Sequence, residues 1–115
     1  MSKTGLIGPY RLDRKTIEEK VESASAGVFI LGYVGIGGFI PKYVGRSDHD
    51  IGEELKSRIG GDYGRFEFDY CDSSEEAFSK ECHIFHVWRE QLTNEKHPER
   101  PTGSDFTCPD CDKSE

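Results

Sequence analysis

No stretch of this sequence is apolar for long enough to cross a bilayer. The run from Ala26 to Ile40 carries no charge, but it falls short of a span and contains five glycines. No membrane partner is therefore expected. An excess of positive charge is also missing: 15 Lys and Arg stand against 22 Asp and Glu, a net charge of −7. Such a surface is unfavourable for living on nucleic acid, and a local basic patch acting within a Debye length would have to carry any phosphate binding. The first twenty residues lack the continuous apolar core of a secretory signal and soon become strongly charged. A cytoplasmic, reducing location is the resulting expectation. Four cysteines in that setting point to metal or free thiols before disulfides. Long repeats and low-complexity tracts are absent as well. With 115 residues, 34% of them hydrophobic, the chain can bury one modest core.

What is present is an ordered series of short elements. Residues 1–12 offer Gly5, Gly8 and Pro9 and read as an irregular lead-in. Asp13 can cap a short helix with Ile17 and Val21 on one face. Val28 to Leu31 are strand formers, "KYVGRS" is a second strand, and the glycine-rich "GIGGFIP" between them suits a hairpin turn. A dinucleotide loop is disfavoured there, because the glycines lack Gly-x-Gly-x-x-Gly spacing and a strand follows them. Asp50 and Glu53 form a capping box for a helix over 50–59, with Gly60 as its left-handed stop. Ile51, Leu55 and Ile59 line one face of it. "RFEFDYCDS" alternates as a half-buried strand, and Ser73 and Glu76 cap a long helix over 74–92. That helix has one stripe of Phe78, Cys82, Phe85 and Leu92, and a second of Ala77, Ile84 and Trp88. The fold expected is a small α+β domain, a three-stranded sheet flanked by helices. Residues 1–25 form its lead-in and helix, 26–98 its body, and 99–115 a Pro/Gly-rich tail packed on it.

Arg58 and Glu81 each border an apolar seam of their helix. A charge near a buried face needs a partner or a metal, since burying it alone costs several kcal/mol. Either the two pair with each other or reach outward, or they act together, Glu81 on a hard cation and Arg58 on a phosphate.

Gly27-Val28-Phe29, Tyr43-Val44-Gly45, Arg58, Glu81 in Ala77-x-x-x-Glu81, and Asn94 follow one another on the expected elements. In this order they resemble the GIY-YIG nuclease family, over roughly residues 26–98. The resemblance implies that the two triplets are adjacent strands and that the site hydrolyses phosphodiester bonds in nucleic acid, DNA before RNA. It further implies that Tyr43 helps activate water, that Arg58 stabilises the phosphate, that Glu81 binds Mg²⁺ or Mn²⁺, and that Asn94 orients the site. Arg46, Tyr33 and Tyr63 would be substrate-side residues. The chain departs from the family in having Phe29 for the tyrosine of the first triplet, and in longer gaps between the motifs. A non-catalytic module of the same kind, binding nucleic acid or protein, and a zinc-stabilised interaction domain are the other two readings.

Cys82 and His86 stand four apart on a helix, and Cys108 and Cys111 form a Cys-x-x-Cys knuckle. Together they make a tetrahedral set suited to structural Zn²⁺. The alternative is that Cys82 and His86 are core-edge residues beside an unstructured tail. His83 points to another face, and Cys71, without a partner at useful spacing, reads as a buried thiol. Zinc would pin the tail to the helix of Glu81, with His97, Pro98 and Pro101 as a stiff bridge.

Overall fold

A computed structural model describes residues 5–22, 24–94, 97–101, 103, 106 and 108. The elements run β1 (Ile7–Arg11), α1 (Arg14–Lys20), β2 (Gly27–Gly35), β3 (Gly38–Ser47), α2 (Ile51–Lys56), β4 (Arg65–Tyr70) and α3 (Ser74–Trp88). The four strands make one antiparallel sheet in the order β1-β4-β2-β3. The architecture is α+β, with one strand more than the sequence reading expects. The extra strand is β1, in the stretch read as irregular. Gly8 and Pro9 look like breakers, but a register shift between Ile7 and Tyr10 absorbs them. Gly8 has φ of +127°, and a side chain there would press on the Phe66 carbonyl oxygen at 2.9 Å.

β2 is central, and its unbroken apolar run is buried on both faces. Val28 and Ile30 point to one side and pack with Val44, Ala77, Ile84 and Phe85 beneath α3. Phe29 and Leu31 point to the other, joining Leu12, Ile17, Ile51, Leu55, Phe66 and Phe68 beneath α1 and α2. Because β1 and α1 complete this sheet and core, residues 7–20 are part of the same folded unit. β4 alternates as expected, yet Glu67 is fully buried on the α3 side rather than half-exposed.

The helix caps fall where the sequence puts them. Asp13, Asp50 and Ser73 accept from the backbone N–H groups of Thr16, Glu53 and Glu76. The second half of each capping box differs: Glu76 reaches the N–H of Asp72, and Glu53 turns to Lys56. α2 also stops sooner than its apolar spacing suggests. After Lys56 the backbone tightens, with Arg58 N–H bonding to the Leu55 carbonyl and Ile59 N–H to that of Lys56. Ile59 consequently leaves the seam and is 39% exposed, while Gly60 takes the left-handed stop at φ +86°. This early unwinding swings Arg58 off the helix face and toward β3. No helix among the described residues is long and apolar enough to cross a membrane.

Candidate active cleft

β3 is an edge strand, and its open edge meets the chain that leaves α3 at two places. Between Leu31↔Tyr43 and Gly32↔Pro41 the pairing with β2 skips Lys42, a bulge that turns the Lys42 carbonyl outward. The Thr93 backbone N–H and hydroxyl both donate to that oxygen. One residue on, the Asn94 side chain lies against the open edge: its Oδ1 accepts from Val44 N–H and its Nδ2 donates to the Val44 carbonyl, each at 2.9 Å. A single amide thus satisfies both outward backbone groups of the edge residue, as a neighbouring strand would. The chain leaving α3 is clamped to β3 by these bonds.

The clamp closes a cleft of about 440 Å³. β3 and its end supply Tyr43, Gly45, Arg46 and Asp48; Arg58 comes from the turn after α2, and Glu81 from α3. Asn94 and the segment from His97 to Pro101 form the remaining wall. Tyr43, Arg58, Glu81 and Asn94, read from separate parts of the sequence, all line this one space. The amide of Asn94 is spent on Val44, so its part is to hold the wall in place.

Arg58 and Glu81 do not pair with each other. The Glu81 carboxylate, 7% exposed, accepts from Arg46 Nη1 at 2.6 Å, and Arg46 Nε donates to Asp48 Oδ1 at 2.9 Å. Burial pushes the Glu81 carboxyl above its ordinary pKa, and the Arg46 guanidinium pulls it back toward ionisation. Burial works against the charge of Arg46 too, but hydrogen bonds to Asp48 and Glu81 outweigh it and raise its pKa. Arg58 instead donates to Glu54 Oε2 at 3.1 Å through Nη2. Its guanidinium lies over Tyr43, 5.0 Å from the ring centre, and over Phe29 at 5.7 Å. Two aromatic rings therefore carry one cation at the cleft wall. Gly45 belongs to this arrangement: in register opposite Phe29, it leaves the space that the Phe29 ring fills.

Tyr33 is not part of the cleft; it stands 46% exposed on the hairpin arm with Lys42 Nζ over its ring. Tyr63 lines a neighbouring hollow of about 480 Å³ that shares Tyr43 and Arg58, and its hydroxyl meets Thr93 Oγ1 at 3.1 Å. Asp48, His97 and Arg100 are cleft residues that sequence reasoning did not single out as site members. For Asp48 the signal was its position two after Arg46, a short reach for a guanidinium.

Of the four metal ligands expected, Cys82 and Cys108 are brought together. Donor atoms of Cys82, His97 and Cys108 lie within 4.8 Å of one another, a group able to hold a metal ion. His86 is not in this group, although its ring centre lies 5.3 Å from that of His97. Helical spacing put Cys82 and His86 on one face, but the returning chain delivers His97 to Cys82 first. His83 is exposed, as its position implies, and Cys71 is buried. Cys111 lies outside the described residues. No protein-family model, curated protein or solved structure matches the chain.

Proposed function

We propose that the cleft belongs to a GIY-YIG-type endonuclease that hydrolyses phosphodiester bonds with a divalent cation. The observation that supports this most is the convergence of Tyr43, Arg58 and Glu81 on one concave space, with Asn94 clamping its wall. Phosphoryl transfer asks mainly for positioning and for positive charge where oxygen charge develops. Arg58 answers the second need: stacked on two rings, its guanidinium is oriented before substrate arrives, and Glu54 holds only one side of it. Tyr43, whose ring lies beside Arg58, would orient a water for attack.

The donor chemistry of the acidic corner fits Mg²⁺ or Mn²⁺. Glu81 would hold such an ion with Asp48, one of the two other carboxylates of the cleft beside Glu99, solvent filling the other positions as Mg²⁺ prefers. When bound, the cation polarises the phosphate and eases departure of the leaving oxygen. Arg46 sits between the carboxylates of Asp48 and Glu81, favours the ionised form of Glu81 against the effect of its burial, and would offer a further cation to a polyanionic strand. Arg46, Arg58 and Arg100 line the cleft together with the carboxylates of Asp48, Glu81 and Glu99, so its formal charge is balanced within an acidic protein. DNA is the proposed substrate before RNA.

The reading is tested by incubating single-stranded, duplex and branched DNA with the protein at low ionic strength, with Mg²⁺ or Mn²⁺. Metal-dependent cleavage that chelation abolishes is the expected result. Binding without cleavage of any of these substrates would favour a non-catalytic nucleic-acid-binding module. One observation favours that second reading: Phe29, fully buried where the family pattern has tyrosine, brings no hydroxyl to the cleft.

A further inference from the structure

The wall from His97 to Pro101 contains no helix or strand, yet it closes the cleft. Its near end is held by the Thr93 and Asn94 bonds to β3. Beyond its far end, among the described residues, lies an apolar cluster in which Phe78, Cys82 and Cys108 are buried and Phe106 packs against them. Two of the three buried members of that cluster are cysteines, and both gather with His97.

We propose that Cys82, His97 and Cys108 bind one Zn²⁺ ion, and that this ion fixes the His97–Pro101 segment as the outer wall of the cleft. Two thiolates and an imidazole are the soft and borderline donors that select zinc over the hard cations. The tautomer of His97 is set for the task. Its Nδ1 lies 2.8 Å from the Pro98 carbonyl oxygen, which only accepts, so in the neutral ring a proton on Nδ1 leaves Nε2 to offer the lone pair. Cys111, at Cys-x-x-Cys spacing from Cys108, is the sequence's candidate for the fourth position. On binding, each thiol releases its proton to solvent as its sulfur joins the metal.

The consequence reaches the cleft by two routes. His97 is both a ligand and a cleft residue, so the ion and the wall move together. Cys82 follows Glu81 on α3, and Phe78, packed with Cys82, carries the Arg46 guanidinium 5.2 Å above its ring centre. Loss of zinc would loosen the wall and the ground beneath the Arg46–Glu81 pair. This claim extends beyond the nuclease proposal and does not need it, since metal content and wall dynamics are read without any substrate.

Full-length protein purified under reducing conditions should carry about one zinc per chain by elemental mass spectrometry. His97→Ala and Cys108→Ser should lose it, and His86→Ala should keep it. Because these variants could unfold, the wild-type protein gives a second measurement: Co²⁺ exchanged for zinc should produce thiolate charge-transfer bands and a tetrahedral visible spectrum. In hydrogen exchange, chelation should speed the amides of His97, Glu99 and Arg100 about tenfold while β2 and β4 stay protected. Reduced wild-type protein that holds no zinc and gives no thiolate–Co²⁺ band overturns the site. So does zinc that survives in His97→Ala but leaves with His86→Ala. Unchanged exchange in 97–101 after zinc removal overturns the claim on the wall.

Discussion

Replacing Gly45 with alanine puts a methyl group where the Phe29 ring already sits. A Cβ at residue 45 would lie 2.9 and 3.0 Å from Cε1 and Cε2 of Phe29, and closer still to Cζ. The ring has little freedom to give way. Phe29 is fully buried, Tyr43 packs beside it with ring centres 6.4 Å apart, and Arg58 covers it. Gly45 does not have positive φ, so no backbone strain enters and the effect is one of packing. Overfilling a core of this kind costs about 1–3 kcal/mol. Alanine for glycine restricts the unfolded chain and returns about 0.4–1 kcal/mol. The net loss should be about 1–2 kcal/mol, a fall in melting temperature of roughly 4–8 °C for a chain this size. Thermal unfolding of Gly45→Ala, Phe29→Leu and the double variant measures it. Leucine lacks the ring atoms that collide, so Gly45→Ala should be neutral or slightly stabilising in the Phe29→Leu background. An unchanged melting temperature for Gly45→Ala, or an equal loss in both backgrounds, would refute the packing argument.

Asn94→Ala should cost about 1–3 kcal/mol, because it strips both edge partners from a part-buried peptide of β3; thermal unfolding at neutral pH reads the loss, and a neutral variant would contradict the clamp. The Cys71 thiol, 4% exposed, is pushed up to about 11 by burial. At pH 8 its thiolate fraction is then about a hundredfold below that of an ordinary cysteine, so native Cys71 should resist iodoacetamide and react on unfolding. Rapid labelling of Cys71 in the native protein, mapped by mass spectrometry, would contradict its placement.

Local signals in the sequence carried a good part of the fold. The caps at Asp50 and Ser73, the glycine-rich turn after β2 and the alternation of β4 depend on neighbours a few residues away, and such patterns are visible without coordinates. β1 was not visible, because its reason to be a strand lies in β4, more than fifty residues on. The end of α2 was missed because apolar spacing continues to Ile59 while the backbone has already tightened. At the cleft, Arg58 and Glu81 stood out as charges beside apolar seams, and both line it. That Arg46 takes Glu81 while Arg58 stacks on Tyr43 and Phe29 depends on how α3 and the α2 turn meet the sheet. His97 escaped notice as a member of the cluster able to hold a metal for a similar reason: helical periodicity favours His86, and no periodicity describes a loop that folds back.

The most direct test of the central claim is the cleavage rate of DNA by Glu81→Gln and Arg58→Ala, in Mg²⁺ or Mn²⁺ at low ionic strength, beside wild type. Circular dichroism should confirm that each variant keeps its fold. If Glu81 holds the cation and Arg58 meets the phosphate, each should lose about 10²–10³-fold in rate, the scale expected for removing one preorganised electrostatic contact. Folded variants that cut as fast as the wild-type protein would contradict the assignment of this cleft as a phosphodiesterase site.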